Sequence, residues 1–205
     1  MRDQIHKVVL TGGPCGGKTS CKSYLKDKLE REGYRVFLVP EVATVLSKGG
    51  APFPDFSEEA KEYEYNYVMT QVGLERTFES LAHLTGEPSV IICDRGTVDA
   101  AAYISEEAWQ ELFHLLNNDW PATDISSARY DMVIHLVTAA IGAEAFYTTG
   151  NNEARHETLE QAREMDHRFR EVWSDHPRRM IIENEGDFEV KMYRMWVHLQ
   201  DYLGI

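Results

Sequence analysis

A glycine-rich segment with one lysine and two hydroxyl residues is the first part of the sequence that predicts chemistry. Residues 7–20 read KVVLTGGPCGGKTS and fit the phosphate-binding pattern GxxxxGK[ST]. The glycines let backbone N–H groups turn inward around phosphate oxygens, Lys18 reaches the β and γ phosphates, and the Thr19 hydroxyl binds Mg²⁺. The segment therefore predicts a Mg²⁺-dependent site for ATP or GTP. Its predicted nucleotide-binding residues are Gly12, Gly13, Pro14, Cys15, Gly16, Gly17, Lys18, Thr19 and Ser20.

An aspartate and an arginine follow a short apolar strand. Asp94 comes directly after SVIIC, which is the Walker B arrangement, so we expect it to hold Mg²⁺ directly or through water. A strand-end carboxylate that caps the next turn is the alternative. Arg95 is expected to clamp a phosphate or a substrate through two hydrogen bonds, unless it pairs with Asp99 one turn later.

Three further polar residues are candidates for contact with a second substrate. Glu41 follows the predicted strand YRVFLV, and it either accepts a proton from an attacking hydroxyl or serves as an acid at the next helix N-terminus. Gln71 interrupts an apolar stripe, and Glu75 lies one helical turn further on. A buried amide needs partners, which are either internal or the polar edge of a bound substrate. Together with Arg95, these residues form the predicted acceptor site.

A segment at about 139–160 has the composition of a lid over the phosphates. TTGNNEAR at 148–155 leads from glycine and asparagine residues into a charged helix predicted over 153–173. Arg155 lies nearest this hinge and is the expected catalytic arginine of the lid. Arg163, Arg168 and Arg170 follow, and a solvated charged face explains these three equally well.

Short apolar strands alternate with helices along the chain. The predicted strands are 5–11, 34–39, 89–93, 131–137 and 179–183, with amphipathic helices between and after them. This alternation predicts an α/β fold with a mostly parallel sheet, and such sheets bind ligands at the carboxyl ends of their strands. Every predicted strand ends in polar residues, including Thr138 and the pair Glu183–Asn184. Asn184 is therefore also predicted to bind nucleotide.

Composition and charge narrow the range of functions. The 205 residues are 43% hydrophobic, which suits one domain spanning 1–205. A net charge of −13 without a basic block argues against nucleic acid as a partner. No apolar run approaches the roughly 20 residues of a membrane span, and the start MRDQIHK lacks an apolar signal region. Three cysteines form no disulfide framework, so we expect a reducing, cytoplasmic location.

Several sequence blocks resemble known P-loop proteins, namely VVLTGGPCGGKTS, VPEVATVLSKGG, VIICDRGTVDAAAY and NNEARHE with IIENEGDFEVK. Together they are similar to the P-loop group classed as AAA domains, which includes the nucleotide-binding domain of a translocation-defect protein of photoreceptor channel trafficking. The layout also resembles nucleoside and nucleotide kinases, including ribosylnicotinamide kinases. With the order of elements, this resemblance implies a P-loop NTPase fold, a five-stranded parallel sheet in the order 2-3-1-4-5 with helices on both faces.

The kinase resemblance also implies roles for individual residues. Glu41 corresponds to the carboxylate that serves as base in deoxynucleoside kinases, and Asp94–Arg95 corresponds to their acid–arginine pair after the third strand. Those kinases usually carry Glu-Arg-Ser there, whereas this chain has Asp-Arg-Gly at 94–96, so the resemblance leaves the substrate open. The AAA label implies an ATPase instead, although the sequence shows no second arginine-finger region.

Two functions follow from these observations. The first is a phosphotransferase that uses ATP or GTP and acts on a nucleoside-like or other small hydroxyl acceptor, which the sequence does not identify. The second is a nucleotide-operated switch or ATPase module that recruits a protein partner. A Ras-like switch carries Asn/Thr-Lys-x-Asp to read guanine, and this tetrapeptide does not occur in the sequence. Its absence favours the phosphotransferase.

Overall fold

The computed structural model of the chain describes residues 5–52, 58–119, 126–147 and 158–205. The strands are β1 (Ile5–Thr11), β2 (Arg35–Val39), β3 (Ser89–Asp94), β4 (Met132–Leu136) and β5 (Arg179–Ile182). The α-helices are α1 (Lys18–Arg31), α2 (Val42–Lys48), α3 (Glu58–Thr85), α4 (Glu106–Asp119), α5 (Leu159–Val172) and α6 (Phe188–Leu203). Short 3₁₀ turns lie at Thr97–Ala102, Ser127–Arg129 and Glu144–Phe146.

The five strands form one sheet in the order β2-β3-β1-β4-β5, and every neighbouring pair is parallel. This confirms the predicted fold and order. In the register, Leu10 of β1 lies beside Asp94 of β3, and Thr11 lies beside His135 of β4. The central position of β1 places the glycine-rich loop between the ends of β3 and β4.

Helices cover both faces of the sheet, which explains why β1, β3 and β4 lack alternation of polar and apolar residues. On one face, α1 and α6 pack against the strands through buried side chains that include Leu25, Leu29 and Trp196. On the other face, α3 and the end of α5 contribute Ala82 and Trp173 to a second core. A third cluster joins α2, α3 and α4, so α2 and the start of α3 are held beside the carboxyl end of β2.

Helix ends follow from local sequence. Thr158 caps α5. Its hydroxyl accepts from the backbone N–H of Gln161, and its own backbone N–H donates to Gln161 Oε1. Within the described residues the helix predicted at 153–173 thus begins at Leu159, and residues 153–157 lie outside them. In α6, Met195 and Leu199 are fully buried, whereas Phe188 at the start of the helix is 42% exposed. No helix among the described residues combines the length and apolarity required to cross a membrane.

Candidate nucleotide and acceptor site

The glycine-rich loop between β1 and α1 is pressed against the end of β4. A Cβ on Gly12 would lie 2.1 Å from the carbonyl oxygen of Leu136, and one on Gly16 would lie 2.6 Å from the same atom. Gly12 also has a φ of 124°, which side chains rarely allow. Both positions therefore require glycine, because the backbone of the loop and that of β4 are in contact.

Lys18 lies across the loop that precedes it. Its ammonium group is buried and donates hydrogen bonds to the carbonyl oxygens of Gly12 at 2.9 Å and Gly13 at 3.0 Å. Thr19 and Ser20, in the first turn of α1, are exposed to solvent. The lysine is thus held where it faces the concave side of the loop, and the two hydroxyl residues stand at its rim.

A buried aspartate on α5 joins the loop to the end of β4. Asp166 Oδ1 accepts from the backbone N–H of Gly13 at 3.1 Å and from that of Thr138 at 2.8 Å. Its Oδ2 accepts from His135 Nε2 at 3.1 Å and Arg170 Nε at 3.0 Å. Burial opposes ionisation of Asp166, but hydrogen bonds from these groups and the His135 charge together lower its pKa to about 2.

Further contacts fix the loop to the segment after β4. The Thr138 hydroxyl donates to the carbonyl oxygen of Pro14, and the Ala139 N–H donates to that of Cys15 at 3.3 Å. The Asn184 side-chain amide donates to the carbonyl oxygens of Thr138 and Ile141, each at 2.7 Å, while its oxygen accepts from Lys191. These contacts favour a supporting role for Asn184, and its predicted contact with nucleotide stays a prediction.

Asp94 lies at the carboxyl end of β3 beside Leu10, as the Walker B interpretation requires. Its Oδ2 is paired with the ammonium group of Lys22, which lies one helical turn after Lys18 on α1. Its Oδ1 is buried and has no hydrogen-bond partner. A carboxylate oxygen without a partner among the described residues fits Mg²⁺, which binds few protein ligands and completes its shell with water and phosphate oxygens. Asp94 does not cap the following turn, because Asp99 Oδ2 accepts from the Gly96 N–H instead.

Glu41 and Arg95 form an ion pair next to the loop. Arg95 Nε donates to Glu41 Oε1 at 3.1 Å, and the Thr44 hydroxyl donates to Oε2 at 2.7 Å. Burial raises the pKa of Glu41, but the charges of Arg95 and Lys18 and the hydrogen bonds from Thr44 and Arg95 outweigh it and lower the pKa to about 2. The carboxylate is therefore ionised at every working pH.

The backbone of Arg95 is held in an unusual conformation. Its φ is 70°, a left-handed value that is rare for residues other than glycine. Its N–H donates to the Leu10 carbonyl oxygen at 3.0 Å, and its guanidinium group lies 4.3 Å from the centre of the Phe169 ring. These contacts direct the side chain toward Glu41, and the alternative pairing with Asp99 does not form, since Asp99 accepts from Thr11, Gly96 and Trp173.

Gln71 and Glu75 of α3 are both fully buried, but their polar atoms are engaged differently. Gln71 Nε2 donates to Glu75 Oε1 at 2.7 Å and to the Arg95 carbonyl oxygen at 3.1 Å, while Gln71 Oε1 has no partner. Glu75 also accepts from the Tyr130 hydroxyl at 2.8 Å and pairs with Arg129. These contacts favour a supporting role for Glu75, and its predicted substrate contact stays a prediction.

The predicted lid is described only in part. Residues 148–157, which include Arg155, lie outside the described residues. Arg163 donates to the Ala140 carbonyl oxygen at 2.7 Å and pairs with Glu144. Arg168 pairs with Glu164 on the exposed face, and Arg170 pairs with Asp166 and Glu183. Each of these three arginines thus has a local partner in the structure.

Two residues contact the loop from distant parts of the chain and belong to none of the sequence motifs. Asp166 occupies a buried helical stripe with Ala162 and Phe169, and a carboxylate in such a stripe is the signal that could have revealed it. Phe188 covers the start of α1, because a Cβ on Gly17 would lie 2.5 Å from its ring. Lys22 could have been found from its four-residue spacing after Lys18.

An open groove of about 790 Å³ lies at the opposite ends of the strands, lined by Ile5, Lys7, Glu79, Ser80, His83, Leu84, Arg129 and Asp131. Its Lys7 and Arg129 side chains both pair with Glu79 of the same groove. The loop, Asp94 and Glu41 instead gather at the carboxyl ends, where parallel sheets bind ligands. We therefore place the candidate site there.

Comparison with known proteins shows the family and the fold of this chain. A profile described as "AAA domain" matches residues 7–191, which include the loop, Glu41, Asp94 and Asp166. The chain belongs to the AAA domain family. No curated protein matches it. Among solved structures, this AAA domain is similar to the NadR protein in complex with NAD and AMP-PNP, with a TM-score of 0.63 and 12% identity. The match covers 98% of this chain and 50% of that one, so the chain spans half of NadR's length.

The family and the shared fold establish this AAA domain as a P-loop protein of the nucleotide-binding type. No group of three or more His, Cys, Asp or Glu side chains in the described ranges is arranged to hold a metal on its own. Any Mg²⁺ at Thr19 and Asp94 would therefore depend on the phosphates of a bound nucleotide for further ligands.

Proposed function

We propose that this protein is a Mg²⁺-dependent phosphotransferase that moves the γ-phosphoryl group of ATP or GTP to a hydroxyl of a small, nucleoside-like acceptor. The observation that carries the proposal is the Glu41–Arg95 pair beside Lys18. A carboxylate next to the lysine of the phosphate loop lies where an acceptor hydroxyl must approach.

The residues of the candidate site divide between binding the nucleotide and activating the acceptor. Lys18 exchanges the carbonyl oxygens of Gly12 and Gly13 for phosphate oxygens, and Thr19 and Asp94 hold Mg²⁺, which neutralises part of the triphosphate charge. Arg95 orients Glu41, whose carboxylate accepts the proton of the acceptor hydroxyl. A pKa of about 2 makes Glu41 a weak base. A weak base suits a loose transition state, in which the hydroxyl loses its proton late.

ATP is the first donor to test. The similar NadR structure holds AMP-PNP, an ATP analogue, and its fold matches nearly the whole length of this chain. The exposed ring of Phe188 against Gly17 supplies an aromatic surface beside the loop on which a base can stack. Stacking is tolerant of base identity, so GTP belongs in the same test.

The experiment that tests the proposal measures diphosphate release from ATP and from GTP with candidate acceptors. These are nucleosides, ribosylnicotinamide, nucleoside monophosphates and inositol compounds. We expect slow release from the nucleotide alone and faster release with at least one hydroxyl acceptor. Release that no acceptor stimulates from either nucleotide would contradict the proposal, and the nucleotide-operated switch with a protein partner would then take its place.

Lys18→Ala should weaken nucleotide binding by about 1–3 kcal/mol, roughly 5- to 150-fold, without unfolding the protein. The reason is the loss of the one ammonium group that the loop directs at the phosphates. Calorimetric titration with Mg-AMP-PNP checks the affinity, and Lys26→Ala on the exposed face of the same helix is the matched control. Equal affinity in Lys18→Ala and the control would show that the phosphates bind elsewhere.

Cys15 should react with iodoacetamide more slowly when Mg-nucleotide is bound. The residue lies half-buried in the loop, where bound phosphates would cover it. Cys21 should resist in both states, because burial raises its pKa to about 11, against a smaller lowering by Lys191 and Lys18. Mass spectrometry of the alkylated peptides gives both rates, and Cys15 labelling that ignores nucleotide would refute the expectation.

A further inference from the structure

A face of α3 presents buried polar atoms that have no partner. Glu64, Tyr67 and Gln71 are spaced three and four residues apart, so they lie on one face of the helix. All three side chains are at least 97% buried, and Glu64 Oε2, Tyr67 Oη and Gln71 Oε1 make no hydrogen bond to any residue that the structure describes. Buried polar atoms nearly always have a hydrogen-bond partner, so three such atoms without one on the same face of a helix require an explanation.

Arg95 contributes a fourth buried polar atom that lacks a partner among the described residues. Its Nη1 is buried and without a partner, although its Nε is paired with Glu41. Gln71 bonds the Arg95 backbone, and Arg95 acts electrostatically on both Glu64 and Tyr67. These relations group the four residues near one another and near the Glu41 carboxylate, which also acts electrostatically on Tyr67.

We infer that Glu64, Tyr67, Gln71 and Arg95 form the binding site for the phosphate acceptor, and that the site takes an unphosphorylated nucleoside rather than a nucleoside monophosphate. The inference rests on the proposed function, since it places the acceptor beside Glu41. It extends the site to Glu64 and Tyr67 and adds a choice of substrate class.

The hydrogen-bonding capacity of the four atoms defines the ligand. Arg95 Nη1 only donates, Gln71 Oε1 only accepts, and the Tyr67 hydroxyl does either. Burial raises the pKa of Glu64 to about 8, with opposing influence from Arg95 and a further rise from Asp99, so at neutral pH this carboxyl group also donates. A ligand with several hydroxyls and a carbonyl or ring nitrogen satisfies such a mixture, and a nucleoside carries all of these groups.

The charge of the region excludes a phosphate on the acceptor. Arg95 already pairs with the ionised Glu41, so the two together carry no net charge. Lys18 faces the phosphate loop and is required by the donor nucleotide. A phosphate dianion would therefore enter a buried site that holds a carboxylate, and the described residues next to it supply no further cation, which is unfavourable.

Removal of the Tyr67 hydroxyl separates a role in ligand binding from a role in stability. Tyr67→Phe keeps the ring, which belongs to the buried cluster of α2, α3 and α4, but removes the unsatisfied hydroxyl. Without ligand, this variant should melt at the same temperature or about 2–4 °C higher, because no hydrogen bond is lost. Its affinity for nucleosides should nevertheless fall.

The test is calorimetric titration with the protein held in Mg-AMP-PNP, so that binding is measured without turnover. The probes are adenosine, guanosine, cytidine, uridine, ribosylnicotinamide and the 5′-monophosphates of the four common nucleosides. We expect at least one nucleoside to bind, and its monophosphate to bind at least about tenfold more weakly. Tyr67→Phe and Glu64→Gln should each weaken that nucleoside roughly 5- to 20-fold and leave AMP-PNP affinity unchanged.

Two controls and a turnover assay separate the possible outcomes. Glu62→Gln, on the exposed side of α3, and Tyr193→Phe, which is 59% exposed on α6, should leave nucleoside affinity unchanged. Unaltered nucleoside affinity in Tyr67→Phe and Glu64→Gln, tighter binding of a monophosphate, or no nucleoside binding would overturn the inference. Phosphorylation of monophosphates alone would overturn it while the proposed function stands. Nucleoside binding that these variants weaken, without stimulated diphosphate release, would support the site and refute the phosphotransferase.

Discussion

Glu41→Gln should lower the turnover number by roughly 10²–10⁴ while nucleotide affinity stays nearly constant. The amide keeps the shape of the side chain, and its single oxygen can still accept from Arg95, while its NH2 group no longer accepts from Thr44. It cannot take a proton from the acceptor hydroxyl. The measurement is diphosphate release at saturating nucleotide and acceptor, with AMP-PNP affinity determined by calorimetry on the same preparation.

Glu32→Gln is the matched control, because Glu32 is exposed after the end of α1, away from the loop. The pH profile adds a second check. Since the pKa of Glu41 is about 2, the wild-type rate should show no acid limb from this group between pH 5 and 8. Wild-type turnover in Glu41→Gln would remove Glu41 from the chemistry and favour the switch.

Asp166→Ala should lower the free energy of unfolding by about 3–5 kcal/mol, because it leaves the Gly13 and Thr138 amides, His135 and Arg170 without their buried acceptor. Urea unfolding followed by circular dichroism measures the loss. Glu164→Ala is the matched control, since Glu164 makes the same i,i+4 pair on the exposed face of α5, and its loss should cost about 0.5 kcal/mol or less. Equal losses in the two variants would contradict the central role of Asp166.

The pH dependence of stability gives Asp166 a sign that can be checked. Its pKa is lowered from 3.8 to about 2 by folding, so ionised Asp166 stabilises the protein above pH 3.8 and loses that contribution as the pH falls toward 2. The contribution amounts to about 2 kcal/mol. Asp166→Asn should therefore lose less stability than the wild type between pH 5 and pH 3, measured by urea unfolding at both values.

The fold was predictable because its determinants are local in sequence. The strand before Gly12, the apolar run before Asp94 and the alternation of strands with helices fix a parallel sheet, and the kinase resemblance supplied its order. The glycine-rich pattern of the loop is likewise local, whereas the contact that requires glycine at positions 12 and 16 is with Leu136 of β4, which is distant in sequence.

The parts that could not be predicted depend on contacts between distant residues. In the sequence, Asp166 is one of many charged residues of a polar helix. Only the packing of α5 shows that it accepts a hydrogen bond from the Gly13 amide of the loop. The unpartnered atoms of Glu64 and Tyr67 are likewise invisible in sequence, because burial without a partner is a property of the packed structure. Asn184 is a polar residue at a strand end whose packing with backbone carbonyl groups was not apparent from the sequence, and its predicted contact with nucleotide stays a prediction.

The shared acceptor of Gly13 and Thr138 has a consequence for hydrogen exchange. Withdrawal of α5 removes Asp166 from both amides at once, whereas a fluctuation of the glycine-rich loop alone frees only the Gly13 amide. Similar deuterium uptake at the two amides therefore reports motion of α5, and faster uptake at Gly13 reports motion of the loop. A nucleotide that stiffens only the loop would slow exchange at Gly13 and leave Thr138 unchanged, while one that also draws α5 inward would slow both.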